Sequence, residues 1–165
     1  MQGTRVPPTL EHVECVSEAL QQVLQATCGL TAEPLDAPAN HGADGELVVA
    51  VISLVGDVEW LLDLCLPRET AVGLAARFAG FPIPYESEDM GDAVGELSNI
   101  LAGKVKAALD GLGVRAEIGL PAVLRGDRME VLVRRGAPAA TMGFATECGE
   151  VCVRVIADAN AKGGA

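Results

Sequence analysis

Three stretches of the chain place apolar residues at the spacing of an amphipathic helix. In residues 10–30, apolar positions recur every three or four residues with polar residues between them. Thr9 is suited to begin this helix and Gly29 to end it. A short helix is predicted for residues 68–79. A long second helix is predicted for residues 89–112, and Gly111 and Gly113 are expected to end it.

The other apolar stretches have the β-branched and aliphatic composition of strands. Residues 46–55 and 58–66 meet at Gly56-Asp57, a pair that favours a tight hairpin. Residues 31–45 are rich in Pro, Gly and Asn and are expected to form a surface connection. Four more strands are predicted at residues 114–124, 129–134, 139–147 and 150–157. Since these elements do not alternate as βαβ units, the pattern predicts an α+β fold, a mostly antiparallel sheet with two long helices and one short helix on one face.

Length and charge narrow the class of protein. The 165 residues, half of them hydrophobic, suit a single domain over 1–165 with flexible ends at 1–8 and 159–165. With 12 Lys and Arg against 23 Asp and Glu, the net charge of −11 disfavours nucleic acid and anionic membranes as partners. No membrane span or signal peptide is visible, so a cytoplasmic location is expected.

Cysteine and histidine offer little chemistry of their own. The five cysteines are odd in number and lack a CxxC pair, which disfavours a disulfide framework or a zinc site and favours small core residues in a reduced compartment. Cys148 and Cys152 could be cross-strand neighbours, and a thiol or metal protein is one hypothesis to test. His12 and His41 are predicted at the surface. We interpret four arginines as solvated charges at strand ends: Arg125, Arg128, Arg134 and Arg135.

The long helix predicted at residues 89–112 carries an unusual line of residues. At ~100° per residue its core stripe is formed by Val94, Leu97, Leu101, Val105, Ala108 and Leu112. The opposite line contains Asp92, Glu96, Asn99 and Gly103.

This line breaks several rules for a helix surface. Asp92 and Glu96 are like charges at i,i+4, and no Lys or Arg occurs in residues 78–103 to pair with them. Asn99 and Gly103 are weak helix formers. Small residues beside the line, including Gly95 and Ala102, would let another molecule's backbone approach. Rules broken together in this way indicate function, although Asp92 also suits a first helical turn and the other side chains could be ordinary solvated residues.

A family resemblance favours the functional interpretation. The motif Asp92-x3-Glu96-x2-Asn99, continued to Gly103 and followed by Ile-Gly-Leu-Pro-Ala-Val-Leu-Arg-Gly at 118–126, resembles the signature of the CheX branch of the CheC/CheX/FliY chemotaxis phosphatases. The resemblance covers nearly the whole chain. It implies a CheC-like α+β fold with a six-stranded sheet and a homodimer formed partly through strand contacts.

The first long helix departs from the two-site relatives in this family. It offers Glu11-x2-Glu14 and Glu18-x2-Gln21 where those relatives carry a second Glu-x2-Asn motif. The resemblance therefore implies one site per chain. Because two acidic segments at residues 86–96 would repel each other, we expect the dimer contact to use the more neutral strands from Ala137 onward.

The activity implied by the resemblance is hydrolysis of the phospho-aspartate of a CheY-like receiver domain, in chemotaxis or another two-component pathway. The partner would supply Mg²⁺ and a lysine, and this chain would bind no cofactor or metal. Asn99 would position a water and Glu96 would pair with the lysine, with Asp92, Gly95 and Gly103 in support. The competing hypothesis is a non-catalytic CheC-like binding or dimerisation module of a signalling or flagellar-switch assembly.

Overall fold

Three helices cover one face of an antiparallel sheet in the computed structural model, which describes residues 7–38 and 45–158. The helices are α1 Leu10–Cys28, α2 Arg68–Ala79 and α3 Glu88–Gly111. The strands are β1 Glu33–Leu35, β2 Glu46–Gly56, β3 Glu59–Pro67, β4 Ala116–Ile118, β5 Ala122–Asp127, β6 Ala139–Thr146 and β7 Gly149–Ala157. His41 and the ends at residues 1–6 and 159–165 lie outside the described residues.

The sheet has the predicted width because two of its strands share one position. Its order is β1-β6-β7-β3-β2-β4, every pairing is antiparallel, and β5 also pairs with β2. β4 pairs with Leu54–Gly56 and β5 with Glu46–Val51, so both lie along the same edge of β2. Seven strands thus fill six positions, and the predicted α+β fold is confirmed.

The helix ends follow local signals in the sequence. The Thr9 hydroxyl accepts a hydrogen bond from the His12 backbone N–H, and His12 Nδ1 accepts one from the Thr9 backbone N–H. This reciprocal cap satisfies two donors at the start of α1. Gly29 and Gly80 end α1 and α2 in the left-handed conformation, at φ 64° and 82°. The predicted boundaries of both helices are therefore confirmed to within two residues.

The prediction that His12 lies at the surface is wrong. The residue is 6 % exposed, and its ring packs edge-on against Trp60 with the ring centroids 5.1 Å apart. The cap at Thr9 already satisfies one ring nitrogen, which lowers the cost of burying the imidazole.

Residues 129–134 do not form the predicted strand. The segment between β5 and β6 crosses from one edge of the sheet toward the other, over the face away from the helices. There Val131 and Leu132 line a depression together with Val55 and Leu61 of the hairpin. The apolar residues of this segment therefore lie over the sheet as the chain crosses it, and they do not pair as a strand.

Two other segments also differ from prediction. The connection expected at residues 31–45 contains β1, whose three residues pair with Gly143–Ala145 of β6. The strand predicted at residues 114–124 is interrupted by Gly119-Leu120-Pro121, which separates β4 from β5. This interruption brings a loop beside α3.

The buried face of α3 is wider than predicted. Val94, Leu97, Leu101 and Val105 are buried as expected, but Leu109 occupies the last core position and Leu112 ends the helix largely exposed. Because α3 contacts α1, α2 and the sheet, Gly95 and Ala102 are also buried. No helix in the described part of the chain is long and apolar enough to cross a membrane.

The face of the sheet away from the helices carries a buried ion pair and two facing cysteines. Arg154 donates to the Asp63 carboxylate at 2.9 Å, and burial raises the pKa of Asp63 despite this partner. Cys65 lies directly opposite Cys152, whereas Cys148 lies in the turn before β7. The hypothesis that Cys148 and Cys152 are cross-strand neighbours is therefore wrong. Of the five cysteines only Cys28 is buried, and the others are partly exposed.

Candidate functional site

The unusual line on α3 lies at the surface. The side chains of Asp92 and Glu96 are exposed, and Asn99 and Gly103 are half-buried. Residues three and four apart on a helix are neighbours on one face, so Asn99 lies beside Glu96, one turn further along α3. The helix thus presents two carboxylates and an amide in a row.

The carboxylates in this row lack the cationic partners that nearby acids have. Glu86 accepts from Arg68 at 2.7 Å and Glu117 accepts from Lys106 at 2.9 Å. Among the described residues, neither Asp92 nor Glu96 has an ion pair or a hydrogen bond. Both carboxylates therefore remain available to a molecule that binds here.

A groove of about 470 Å³ runs between α3 and the loop that separates β4 from β5. One wall is polar and comes from the helix, and the other is apolar and comes from the loop and β5. The lining residues are Gly91, Asp92, Gly95, Glu96, Asn99, Leu120, Pro121 and Val123.

Gly95 lies where β5 and the loop before it approach the helix. A Cβ at this position would lie 3.4 Å from Val123 Cγ2 and 4.0 Å from Pro121 Cγ, which is ordinary van der Waals contact. Gly95 is buried but lines the groove, and its supporting role stays a prediction. Ala102 is fully buried, so the expectation that a partner's backbone approaches there is wrong. Gly103 differs, because nothing lies within 4 Å of a Cβ built there.

The start of α3 is held by side chains that the sequence analysis did not place in the site. The Tyr85 hydroxyl donates to the Leu47 carbonyl at 3.2 Å, which fastens the segment before α3 to β2. Arg125 of β5 donates to the carbonyls of Tyr85 and Ser87, at 2.7 and 2.8 Å. The expectation of a merely solvated charge is thus wrong for Arg125, which positions the helix relative to the groove.

These residues provide groups for positioning and electrostatic contact. Carboxylates accept hydrogen bonds and pair with cations, and the Asn99 amide has both donor and acceptor atoms. The described residues contain no group of three or more His, Cys, Asp and Glu side chains that could hold a metal ion. The site is therefore suited to orient a water or a partner's charged group.

Comparison with known families identifies a model that matches more than half of the chain. The model described as "Chemotaxis phosphatase CheX" matches residues 48–145, which include the hairpin, α3, the groove and β5. A search of curated proteins finds no significant match.

Solved structures of similar fold cover nearly the whole chain. A chemotaxis protein CheX from Desulfovibrio desulfuricans has 24% identity and a TM-score of 0.79, over 90% of this chain and 100% of that one. A putative chemotaxis protein from Desulfovibrio vulgaris Hildenborough has 26% identity and a TM-score of 0.77, over 91% and 98%. A chain from the CheX-CheY-BeF3-Mg²⁺ complex of Borrelia burgdorferi has 22% identity and a TM-score of 0.73, over 90% and 98%.

Proposed function

The chain belongs to the CheX family of chemotaxis phosphatases, and from this we propose that it accelerates hydrolysis of the phospho-aspartate of a CheY-like receiver domain. The observation that carries the proposal is the exposed Glu96 carboxylate, without a partner among the described residues, beside Asn99 at the wall of an open groove. A surface built only for solubility has no need of an acid and an amide in this register.

Asn99 is the residue we assign to the attacking water. Phosphoryl transfer depends mainly on positioning and charge stabilisation, so a protein can accelerate it by holding one water in line with the phosphorus. The water oxygen forms the new bond to phosphorus as the bond from phosphorus to the aspartate oxygen breaks. The products are a free aspartate carboxylate and inorganic phosphate, which takes the oxygen of the water, and the water's protons pass to phosphate or solvent.

Glu96 is the residue we assign to partner recognition. Its carboxylate would pair with the lysine of the receiver domain. This pairing accounts for the absence of a cationic partner for Glu96 among the described residues of its own chain. Asp92 lies one turn earlier and adds negative charge beside this contact. Mg²⁺ would belong to the receiver domain and would neutralise charge on the phosphoryl group there.

The fold relatives support the assignment of a partner. The CheX from Borrelia burgdorferi was crystallised in a complex with CheY, BeF3 and Mg²⁺, and its fold is shared by 90% of this chain. A CheY-like receiver is therefore the first partner to test.

Phosphate release from a panel of phosphorylated receiver domains, with and without this protein, tests the proposal. We expect at least one receiver to lose phosphate faster when the protein is present. Binding to an activated receiver without acceleration would favour the non-catalytic binding module instead. Absence of both binding and acceleration across the panel would contradict the proposed function.

Gly103 offers a test of close approach by the partner. Since nothing lies within 4 Å of a Cβ at this helical position, Gly103→Ala should raise the free energy of unfolding by up to about 1 kcal/mol. We expect the same variant to slow receiver dephosphorylation several-fold, because the added methyl group would contact the partner. Denaturant unfolding and phosphate release measure the two effects.

Gly111→Ala is the matched control for this experiment. It also fills open space on α3, about 12 Å further along the helix axis and outside the groove. Activity should be unchanged in this variant. Equal activity of both variants would contradict the role of Gly103 in partner approach.

The oligomeric state is a further part of the proposal, a homodimer whose contact leaves the groove open. β6 contains no charged residue, and β1 pairs only with its Gly143–Ala145 part. Residues 139–142 therefore have an edge without a neighbouring strand in the described part of the chain, which suits pairing with a second copy. Light scattering should give the mass of two chains, and titration should give two activated receivers per dimer. A monomer, or one receiver per two chains, would contradict this arrangement.

A further inference from the structure

Leu120 is an apolar side chain that the fold presents to solvent beside the proposed catalytic residues. It is 94 % exposed, more than any other large hydrophobic residue that the structure describes. It also lines the groove whose opposite wall carries Glu96 and Asn99. Among the exposed large hydrophobic residues that the structure describes, Leu120 is the one that lines this groove.

The loop that carries Leu120 is fixed on both sides. The Gly119 N–H donates to the Ser53 carbonyl at 2.9 Å, and the Ser53 side chain occupies the space that a Cβ of Gly119 would need. On the other side, Pro121 and Gly95 of α3 line the same groove, and Pro121 Cγ would lie 4.0 Å from a Cβ at Gly95. β4 and β5, which flank the loop, both pair with β2. A loop whose backbone is already fixed loses little backbone entropy on binding.

The electrostatics of the groove also favour an added apolar contact. Its helix wall carries Asp92 and Glu96, and the chain has a net charge of −11. The family resemblance implies that the receiver domain supplies an acidic pocket as well as its lysine, so charge alone gives little net attraction between the two surfaces. Burial of apolar surface beside the charged contact would add a hydrophobic attraction. Salt does not screen this attraction, and it does not depend on the sign of the charges on the two surfaces.

We propose that Leu120 is the apolar docking residue of this site, which inserts into an apolar depression on the receiver surface near the phospho-aspartate. This inference rests on the proposed function and assigns an apolar contact that adds to the affinity provided by Glu96. Leu120 acts on binding, and Asn99 acts on the chemical step. Receivers with a charged or filled surface at the contact would be poor substrates.

The test separates affinity from turnover. Leu120→Ala should raise KM for the phosphorylated receiver by on the order of 10-fold, with kcat nearly unchanged, because a buried leucine side chain is lost from the contact. The dissociation constant for a BeF3-activated receiver should rise by the same factor. Leu120→Met should retain most of the affinity, since it keeps the apolar volume.

Leu132→Ala is the matched control. This leucine is 82 % exposed, and it lies on the far side of the sheet from the groove. Its removal should change neither KM nor the dissociation constant, and both alanine variants should unfold at the temperature of the wild type.

The possible failures are distinguishable. If the wild type accelerates dephosphorylation and Leu120→Ala has the same KM and dissociation constant, the docking role is wrong and the proposed function stands. A fall in kcat alone, or a change in the oligomeric mass of the variant, would also overturn the docking role. If the wild type neither binds nor dephosphorylates any receiver in the panel, the proposed function fails first.

Discussion

Asn99→Ala is expected to lower the acceleration of receiver dephosphorylation by about 100-fold or more, a loss of about 2.7 kcal/mol in the barrier. The amide is half-buried at the groove wall and has no hydrogen bond to any described residue. Its removal should therefore abolish the positioning of the water and leave the fold intact. The free energy of unfolding should change by no more than about 0.5 kcal/mol. Phosphate release under single-turnover conditions measures the chemical step directly.

Binding and a second amide serve as controls for this result. The dissociation constant for a BeF3-activated receiver should be nearly unchanged in Asn99→Ala, because the variant removes a contact made in the transition state. Gln25→Ala removes an exposed amide from α1, outside the groove, and should retain full activity. Full activity of Asn99→Ala on a receiver that the wild type dephosphorylates would show that the assigned mechanism is wrong.

Charge reversal at Glu96 should affect both binding and turnover. Glu96→Ala is expected to weaken receiver binding and to slow dephosphorylation, because the receiver lysine would lose its partner. Glu96→Lys should abolish both, since it places a like charge against that lysine. The exposed side chain has no partner among the described residues, so stability should change by no more than about 0.5 kcal/mol. Removal of the repulsion with Asp92 would act in the stabilising direction.

Asp110→Lys is the matched control for charge. It makes the same change in net charge on an exposed residue of α3, outside the groove. If it reduces activity as strongly as Glu96→Lys, the effect is one of overall charge and the specific pairing is contradicted. Titration with an activated receiver and phosphate release, measured for both variants, separate these outcomes.

The helices were predictable because their ends are set by neighbouring residues. The cap at Thr9 and the glycines at 29 and 80 act within one turn of the chain, and the structure places the helix ends there. The line of Asp92, Glu96 and Asn99 was predictable for the same reason, since residues at i, i+4 and i+7 share a face of any straight helix. Their catalytic roles stay predictions.

The parts that were not predictable depend on contacts between distant segments. His12 is buried because β3 brings Trp60 against α1, and no local pattern contains that information. Residues 129–134 have strand composition, but the chain must there return across the sheet to reach β6. Composition alone does not distinguish an apolar crossing from a paired strand.

The candidate site shows the same division. Its helix wall follows from the sequence, whereas its loop wall depends on how β4 and β5 pair with β2. The sequence motif already contained Leu120 and Arg125, but their positions beside α3 required the tertiary structure. Gly95 was expected beside the site, and it lines the groove next to Val123 of β5, a strand that begins 27 residues further along the chain.

At Asp63, on the outer face of the sheet, the native protein binds a proton more tightly than the unfolded chain does, because burial raises the pKa of this carboxyl and the ion pair with Arg154 offsets the rise only in part. The contribution of Asp63 to stability is fully present below the ordinary aspartate pKa of about 4 and is lost as pH rises through the higher native value. The exposed Glu86 works in the opposite sense, because hydrogen bonds from its backbone and Arg68 lower its pKa. As pH falls, the buried Asp63 is therefore protonated earlier than it would be in the unfolded chain, whereas the exposed Glu86 keeps its ion pair with Arg68 to a lower pH than a free glutamate would.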